Sequence, residues 1–340
     1  MRSDLSYVVF GAGAIGGVVG GRLAQAGRDV TLIARGAHLE ALQAHGLRVD
    51  SPAGNATVDC AAVGHPREID WQACHVVLLA VKSHQTLGAL SDLATVAPPG
   101  TPIVCLQNGI ANEPAALRLF PHVYAVSVAC PASHGEPGLV QAWSTPVTGL
   151  LDIGCYPTGI DPLCQSVAAD FTAATFSSYA DPAIHRWKNR KLLTNLGNAI
   201  EAVCGPAERL GTLGDIVAAE GAAVLSAAGL EAATEQEDKN RRASLLQRGE
   251  IAGQSRPGGS SWQSLQRGTG DVETDYLNGE IVLLGRLHGI PTPANEMLQQ
   301  LARGLAATRQ RPGAVPATVI LERLGQADGL SASASDTLPE

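Results

Sequence analysis

Aromatic and charged side chains are scarce in this chain of 340 residues, making up 4% and 16% of the sequence. The net charge of −8 argues against a nucleic-acid surface, which needs clustered Lys and Arg. It leaves room for a small anionic substrate, because one or two local cations suffice to bind one. No stretch approaches the roughly 20 apolar residues of a membrane helix, and the N terminus lacks a charged-then-apolar signal segment. We therefore expect a cytoplasmic protein without a membrane span.

Cysteine pairs with metal-binding or redox spacing are also missing. The seven cysteines are an odd number, and no two of them form a CxxC motif. Reduced cysteines of a cytosolic chain fit this pattern better than a disulfide framework or a zinc site. We expect no metal site, and we interpret the cysteines as small buried apolar residues.

Strand and helix patterns alternate in the first half of the chain. A short apolar run at Tyr7–Phe10 precedes a glycine-rich turn and a helix of small residues at Gly17–Ala26. Asp29–Ala34 has the pattern of a second strand. His75–Val81 and Pro102–Leu106 are continuous apolar runs, typical of strands buried on both faces of a parallel sheet. This alternation predicts βαβ units over residues 1–179.

The second half has a helical pattern. We predict helices at Arg186–Val203, Asp215–Gln236, Asp275–His288 and Asn295–Thr308, within a helical domain of residues 180–325. Residues 326–340 are small and polar and have few apolar side chains that could form a core. This composition predicts a disordered tail.

A GxGxxG motif stands between the first strand and the first helix, formed by Gly11, Ala12, Gly13, Ala14, Ile15 and Gly16. In a dinucleotide-binding turn, the first glycine makes the tight turn and the second lets the backbone approach the pyrophosphate. The third allows close packing of helix and strand, and the helix N terminus offers N–H groups to the phosphates. In this context the motif predicts a Rossmann domain. The alternative is a glycine-rich helix start without a ligand.

The end of the second strand bears on the choice of cofactor. NAD-binding proteins place Asp or Glu there for the ribose 2′-hydroxyl, whereas this chain has Arg35 and no acid. A guanidinium can pair with a 2′-phosphate through a forked, charge-assisted contact. Arg35 therefore favours NADP(H). The alternative is that it caps a loop and contacts solvent.

Four further motifs, together with the glycine turn, resemble the ketopantoate reductase family from about Val8 to about Leu301. They are LLAVKSHQT, LQNG, WKNRKLLTN and the block SSWQSLQRGTGDVETDYLNG, in which a Glu follows the second Ser by twelve residues. The resemblance implies an α/β protein, with an N-terminal Rossmann domain followed by an all-helical domain like that of 6-phosphogluconate dehydrogenase. It also implies the NADPH-dependent reduction of 2-dehydropantoate, a 2-oxo acid, in pantothenate biosynthesis.

Within this resemblance, Lys191 matches the family's general acid, and Asn195 one helical turn later lies on the same helix face. A cationic Lys would stabilise the growing alkoxide and then donate the proton. Lys188 and Arg190 are rivals by proximity, and Lys191 could instead be a solvated helix residue.

The other matches are contacts to cofactor and substrate. Glu273 resembles a group that binds the cofactor ribose and orients the lysine, or else a helix N-terminal acid favoured by the dipole. Ser261 matches a contact to the substrate carboxylate, or else an N-cap. Asn108 matches a contact to cofactor and substrate at an Asn-Gly turn, and Lys82 a cofactor contact at a strand end.

Several positions depart from the family. Ala199 stands where a second Asn is frequent, and Gly258 or Gly259 where enzymes for ketopantoate tend to have an Asn. Trp262 and Leu265 replace the usual Met and Asp. The substrate is therefore either ketopantoate or a different 2-oxo acid or ketone, and a non-catalytic NADPH-binding regulator is a third alternative. The sequence leaves the oligomeric state open, with a homodimer as one option.

Overall fold

The computed structural model describes residues 5–256, 258–268 and 270–335. Its strands are β1 (Ser6–Phe10), β2 (Asp29–Ile33), β3 (Leu47–Ser51), β4 (Gly54–Val58), β5 (Ala61–Val63), β6 (His75–Leu79), β7 (Ile103–Cys105), β8 (Val123–Ala129), β9 (Ala132–His134), β10 (Leu139–Ala142), β11 (Ser144–Pro146), β12 (Leu150–Cys155) and β13 (Leu246–Arg248).

Its helices are α1 (Ala14–Gln25), α2 (Gly36–His45), α3 (Thr86–Ala94), α4 (Asn112–Leu117), α5 (Pro162–Ala173), α6 (Ile184–Cys204), α7 (Thr212–Ala227), α8 (Glu235–Arg242), α9 (Ser260–Arg267), α10 (Asn278–His288), α11 (Pro293–Ala307) and α12 (Ala317–Ser335). Short 3₁₀ helices form at Pro66–Glu68, Ser83–Gln85, Pro206–Leu210 and Glu273–Tyr276.

The chain divides into two compact units. The described residues up to Lys191, together with Ala232–Arg256, form the first unit. Leu192–Glu231 and the described residues from 258 onward form the second. We predicted a boundary near residue 179 and no return of the chain. The observed division falls inside α6, and a later segment belongs to the first unit.

The first unit is built on a seven-stranded sheet with the order β12-β8-β7-β6-β1-β2-β5. The strands from β8 to β5 pair in parallel, and β12 pairs antiparallel to β8. Strand order reverses beside β1, which is the arrangement of a doubly wound Rossmann sheet. This confirms the predicted fold class for the N-terminal half.

Both faces of this sheet are covered. In β1, Tyr7 and Val9 belong to one buried cluster, whereas Val8 and Phe10 belong to another on the opposite face. Successive side chains of a strand point to opposite faces, so a strand covered on both sides is apolar throughout. This is why the parallel strands have continuous apolar runs rather than an alternating pattern.

The returning segment is tied to the first unit by long-range polar contacts. Arg241 of α8 makes a forked pair with the buried carboxylate of Asp152, with distances of 2.6 and 2.9 Å. Burial raises the pKa of Asp152, and the contact with Arg241 opposes that shift. Further along, β13 pairs with β11. A bidentate pair that is largely removed from water stabilises this attachment strongly. The sequence around Arg241 or Asp152 does not predict the contact.

The second unit is helical, as predicted. Asn278 of α10 donates to the main-chain oxygen of Leu196 in α6 and to the side chain of Asn295 in α11, at 3.2 and 3.0 Å. The carboxylate of Glu220 in α7 accepts from the N–H groups of Ala294 and Asn295 at the start of α11. These buried polar contacts link the helices α6, α7, α10 and α11 within the unit.

Two details of the helical pattern differ from prediction. The helix expected over Asp215–Gln236 ends at Ala227, because Gly229 takes a φ of +68° that breaks the helix. At the C terminus, α12 extends to Ser335, where we predicted a disordered tail. The alanines of this stretch have the highest helix propensity, and the disorder of residues 326–340 stays a prediction. Residues 336–340 lie outside the described residues.

None of the helices in the described part of the chain is both long enough and apolar enough to cross a bilayer.

Candidate active site

The glycine-rich turn joins β1 to α1 at the carboxyl end of the sheet. Gly11 has a φ of +101°, and its N–H donates to the main-chain oxygen of Ile33 at 3.2 Å. A Cβ atom on Gly16 would lie 2.1 Å from the main-chain oxygen of Gly11, whereas one on Gly13 would meet nothing within 4 Å. Gly11 and Gly16 are therefore required by the fold, and Gly13 leaves its space open on the outer side of the turn.

A cavity of about 240 Å³ lies against this turn. Its lining residues are Phe10, Gly11, Ala12, Gly13, Ile33, Ala34, Arg35, His38, Val81, Gln85, Ala89 and His134. Arg35 occupies the N-cap position of α2 through its backbone, and its side chain is exposed. No Asp or Glu lies among the lining residues. The mouth of this cavity is thus suited to an anionic group.

His38 forms a wall of the same cavity. Its Nδ1 accepts from the N–H of Gly138 at 2.9 Å, so the ring proton of the neutral form sits on Nε2 and is donated to Ala12 O at 2.8 Å. Burial lowers the pKa of His38. The ring packs 4.4 Å from that of His134. His38 therefore ties the glycine turn to the loop before β10.

Two loops follow the neighbouring strands β6 and β7. Lys82, half-buried, begins the 3₁₀ turn after β6. Asn108 follows β7 just before Gly109, whose φ is +80°, and the Asn108 main-chain oxygen accepts from Asn112 at 3.1 Å. The Asn-Gly bend expected from the sequence is present. Both residues lie at the sheet edge where open α/β sheets bind ligands.

The cations of α6 have different environments. Lys188 is 4% exposed, forms an ion pair with Glu113 and donates to Gln107 O at 3.0 Å. A guanidinium nitrogen of Arg190 lies 3.9 Å from a carboxylate oxygen of Glu235. Lys191 is half-buried, close enough to Cys130 for its charge to act on that thiol.

The pKa of the Cys130 thiol shows which charges act near Lys191. Burial raises the pKa of the Cys130 thiol to about 12, and the charges of Arg256, Arg22 and Lys191 act in the opposite direction. Three cations of the first unit thus converge on one buried thiol. Such a neighbourhood favours anionic groups.

In the second unit, Ser261 lies in the first turn of α9, and Gly259 takes the N-cap position. Ser261 is therefore not the N-cap, and its side chain is 2% exposed. The N–H of Gly259 donates to the carboxylate of Glu201 at 2.8 Å, and Glu201 pairs with Arg209 at 2.9 Å. A buried carboxylate on α6 thus fixes the start of α9.

The two glycines before α9 have no room for side chains. A Cβ on Gly258, whose φ is +33°, would lie 2.6 Å from the ring of Trp262, and one on Gly259 would lie 2.7 Å from Glu201. This explains the missing Asn at this place in the chain. The indole of Trp262 fills the space that a side chain on Gly258 would need.

Asn195 and Glu273 also belong to the second unit. Asn195 is buried on α6, one turn after Lys191. Glu273 is half-buried and opens the 3₁₀ helix that leads into α10. Its position is consistent with both alternatives that the sequence left open, a helix-start acid and a ligand contact.

Family models match both halves of the chain. Ketopantoate reductase PanE/ApbA matches residues 7–157, and Ketopantoate reductase PanE/ApbA C terminal matches residues 183–306. The chain belongs to the ketopantoate reductase family. This confirms the resemblance inferred from the motifs, and with it an oxidoreductase that acts on a CH–OH group.

The chain aligns with nearly the whole length of individual members of the family. A 2-dehydropantoate 2-reductase of Mesorhizobium japonicum is 31% identical over 334 residues, spanning 90% of this chain and 99% of the relative. One of Pyrococcus horikoshii is 30% identical over 308 residues, spanning 88% and 97%. The crystal structure of a PanE/ApbA family ketopantoate reductase from Ralstonia eutropha has a TM-score of 0.74 at 30% identity, spanning 89% and 99%.

Some site residues carry no signal in the sequence. Glu113, Gln107 and Glu201 are buried and bind residues far away in the chain. Each stands in an unremarkable helix or loop pattern, so only the fold brings it to its partner. The family resemblance predicts which residues contact ligands, and it gives no indication of these three.

Proposed function

We propose that this member of the ketopantoate reductase family reduces a 2-oxo acid to a 2-hydroxy acid with NADPH. The observation that carries the proposal is the cavity at the glycine turn, open above Gly13 and bordered by Arg35 without an acidic neighbour. Ketopantoate is the first candidate substrate, because the relatives that span the chain are 2-dehydropantoate 2-reductases.

The residues at the turn fit a dinucleotide phosphate. The space above Gly13 lets an anionic group approach the backbone, and the start of α1, which no side chain caps, offers N–H groups to it. The exposed guanidinium of Arg35, which pairs with no other residue among those described, is available to a 2′-phosphate. Lys82 and Asn108 would contact the remainder of the cofactor. When bound, NADPH supplies the hydride that reduces the carbonyl carbon.

Lys191 is the proposed proton donor. Lys188 is committed to Glu113 and Gln107, and Arg190 lies toward Glu235. Lys191 lies one helical turn after Lys188, and the positive charges of Arg22 and Arg256, which act with that of Lys191 on the Cys130 thiol, favour an anionic ligand there. Its ammonium group would stabilise negative charge on the keto oxygen and then transfer a proton to it. Glu273 is proposed to orient this lysine and to bind the cofactor ribose.

The substrate carboxylate is assigned to the hydroxyl of Ser261, with Asn195 and Asn108 as further polar contacts. Ser261 and Asn195 are almost completely buried, so their polar groups are desolvated before substrate arrives. A small 2-oxo acid offers a carboxylate and a keto oxygen as hydrogen-bond acceptors, which polar side chains of this kind can bind.

A second candidate substrate, another 2-oxo acid or ketone, is supported by the loop before α9. Trp262 occupies the space of a side chain on Gly258, so this position offers an apolar ring instead of an amide. An apolar ring favours a substrate without a distal hydroxyl.

Steady-state oxidation of NADPH with a panel of 2-oxo acids, with the product identified, tests the proposal. We expect turnover with ketopantoate or a close analogue, and loss of it in Lys191→Ala. A protein that binds NADPH yet oxidises it with no acid of the panel would instead support the NADPH-binding regulator.

A further inference from the structure

A buried polar network joins the two loops that follow β6 and β7. The side-chain nitrogen of Gln107 donates to Val81 O at 2.8 Å and to the hydroxyl of Thr86 at 2.7 Å. That hydroxyl donates to the side-chain oxygen of Asn112 at 2.7 Å, and the Asn112 nitrogen donates to Ser83 Oγ and Asn108 O. Lys82 and Asn108 thus lie on loops that are fixed to each other.

Lys188 connects this network to α6. Its ammonium group donates to the main-chain oxygen of Gln107, the residue before Asn108. It also pairs with Glu113 at the start of α4, whose side chain is 1% exposed. Lys188 and Lys191 are three residues apart and share a helix face. The contact that buries Lys188 therefore sets the position of Lys191 relative to the Asn108 loop, within one unit.

Burying the Lys188–Glu113 ion pair is an inefficient way to stabilise the fold, so its benefit is the defined position that it gives to the groups around it. Removing two charges from water opposes folding, and apolar residues of similar volume are often as stabilising as a buried ion pair. What an ion pair with a directed hydrogen bond adds is a single defined geometry. Misplacing a catalytic group by about 1 Å can lower the rate about 100-fold.

We propose that Lys188 and Glu113 are positioning residues, which hold the proton donor Lys191 at a fixed place relative to Asn108 and Lys82. The inference rests on the proposed function, because it takes Lys191 as the donor. The pair contacts neither cofactor nor substrate and acts through the Gln107 loop and the α6 backbone.

The test replaces both charges together, as Lys188→Met with Glu113→Gln, so that neither remains buried alone. We expect kcat to fall about 10- to 100-fold with less than a threefold change in KM and in NADPH affinity. The matched control is Arg28→Met with Asp170→Asn, which removes another buried pair of the first unit, at 2.7 Å. It should lower stability and leave kcat within twofold.

A double-mutant cycle with Lys191→Ala separates positioning from general damage. If the pair acts through Lys191, its replacement should change the residual kcat less than twofold in the Lys191→Ala background. Equal effects in both backgrounds would overturn the inference. If Lys191→Ala alone leaves kcat unchanged, the proposed donor and with it this inference fail.

Amide hydrogen exchange gives a readout that does not depend on turnover. We expect faster exchange over residues 107–112 in the Lys188–Glu113 variant and no change there in the Arg28–Asp170 variant. Unchanged exchange in these residues would show that the pair does not hold the loop. Absence of turnover in the wild-type protein would count against the proposed function, and the exchange result would still decide whether the loop is held.

Discussion

A Cβ atom on Gly16 would lie 2.1 Å from the main-chain oxygen of Gly11, a distance that no packed structure accommodates. Gly16→Ala must therefore push α1 away from β1. We expect a loss of stability of about 1–3 kcal/mol or more, the cost of overpacking. Thermal unfolding should show a clearly lowered Tm.

Gly13→Ala should separate ligand binding from folding. A methyl group here meets nothing within 4 Å, so the Tm should stay within a few degrees. The same methyl would stand between the backbone and a pyrophosphate, and NADPH affinity measured by calorimetry should fall. Gly88→Ala, on the exposed side of α3 with equally open space, is the control and should bind NADPH normally. Normal binding by Gly13→Ala would place the phosphates elsewhere.

Arg35→Ala should reduce the affinity for NADPH about 10- to 100-fold, since a hydrogen bond to a charged group is worth about 1.5–3 kcal/mol. The affinity for NADH should hardly change, because NADH lacks the 2′-phosphate. Calorimetric titration of both cofactors gives the comparison, with Arg118→Ala as an exposed-arginine control. A preference for NADPH that survives Arg35→Ala would assign the selectivity to other residues.

The glycine turn could be predicted because its requirements are local. Gly11 needs a positive φ and Gly16 a close approach, and both demands fall within six residues beside a strand pattern. The return of the chain to the first unit could not be predicted from the sequence, because the pair of Arg241 with Asp152 joins residues 89 positions apart. The fixed start of α9 depends likewise on Glu201, whose carboxylate meets Gly259 only in the folded unit.

Lys191→Ala should lower kcat about 10²–10⁴-fold, the usual contribution of a positioned acid. NADPH affinity should change little, because Lys191 is assigned to the keto oxygen and not to the phosphates. Glu273→Ala should weaken both cofactor binding and turnover. Stopped-flow single turnovers together with NADPH titrations distinguish these effects. A Lys191→Ala variant with unchanged kcat would rule out Lys191 as the donor.

His38 should make the protein sensitive to mild acid. Burial lowers its folded pKa below the ordinary 6.5, so the stability it contributes is fully present above about pH 6.5. That contribution is lost as the pH falls through the lowered pKa, because the folded state must then bury a cation. The drop in Tm between pH 7.5 and 5.5 should be smaller in His38→Gln than in the wild type. His288→Gln, at an exposed position, should retain the full drop.

The Trp262 ring lies where a side chain on Gly258 would stand, so this position has no amide that could bind a substrate hydroxyl. Without an amide there, we expect the kcat/KM ratio of ketopantoate over 2-oxoisovalerate to stay below about 10⁴, the scale reached when a hydroxyl is specifically recognised. A wild-type ratio above that value would show that other residues bind the hydroxyl.

Restoring the amide requires two changes. Gly258→Asn alone should fold poorly, because its Cβ would lie 2.6 Å from the Trp262 ring. Adding Trp262→Met removes the ring, and Asn tolerates the positive φ of this position better than other side chains do. We expect the double variant to raise the selectivity ratio about tenfold or more, the worth of one specific hydrogen bond of about 1.5 kcal/mol. Trp262→Met alone is the control and should leave the ratio unchanged. A gain of equal size in that single variant would mean that relief of the ring, rather than a new hydrogen bond, admits ketopantoate.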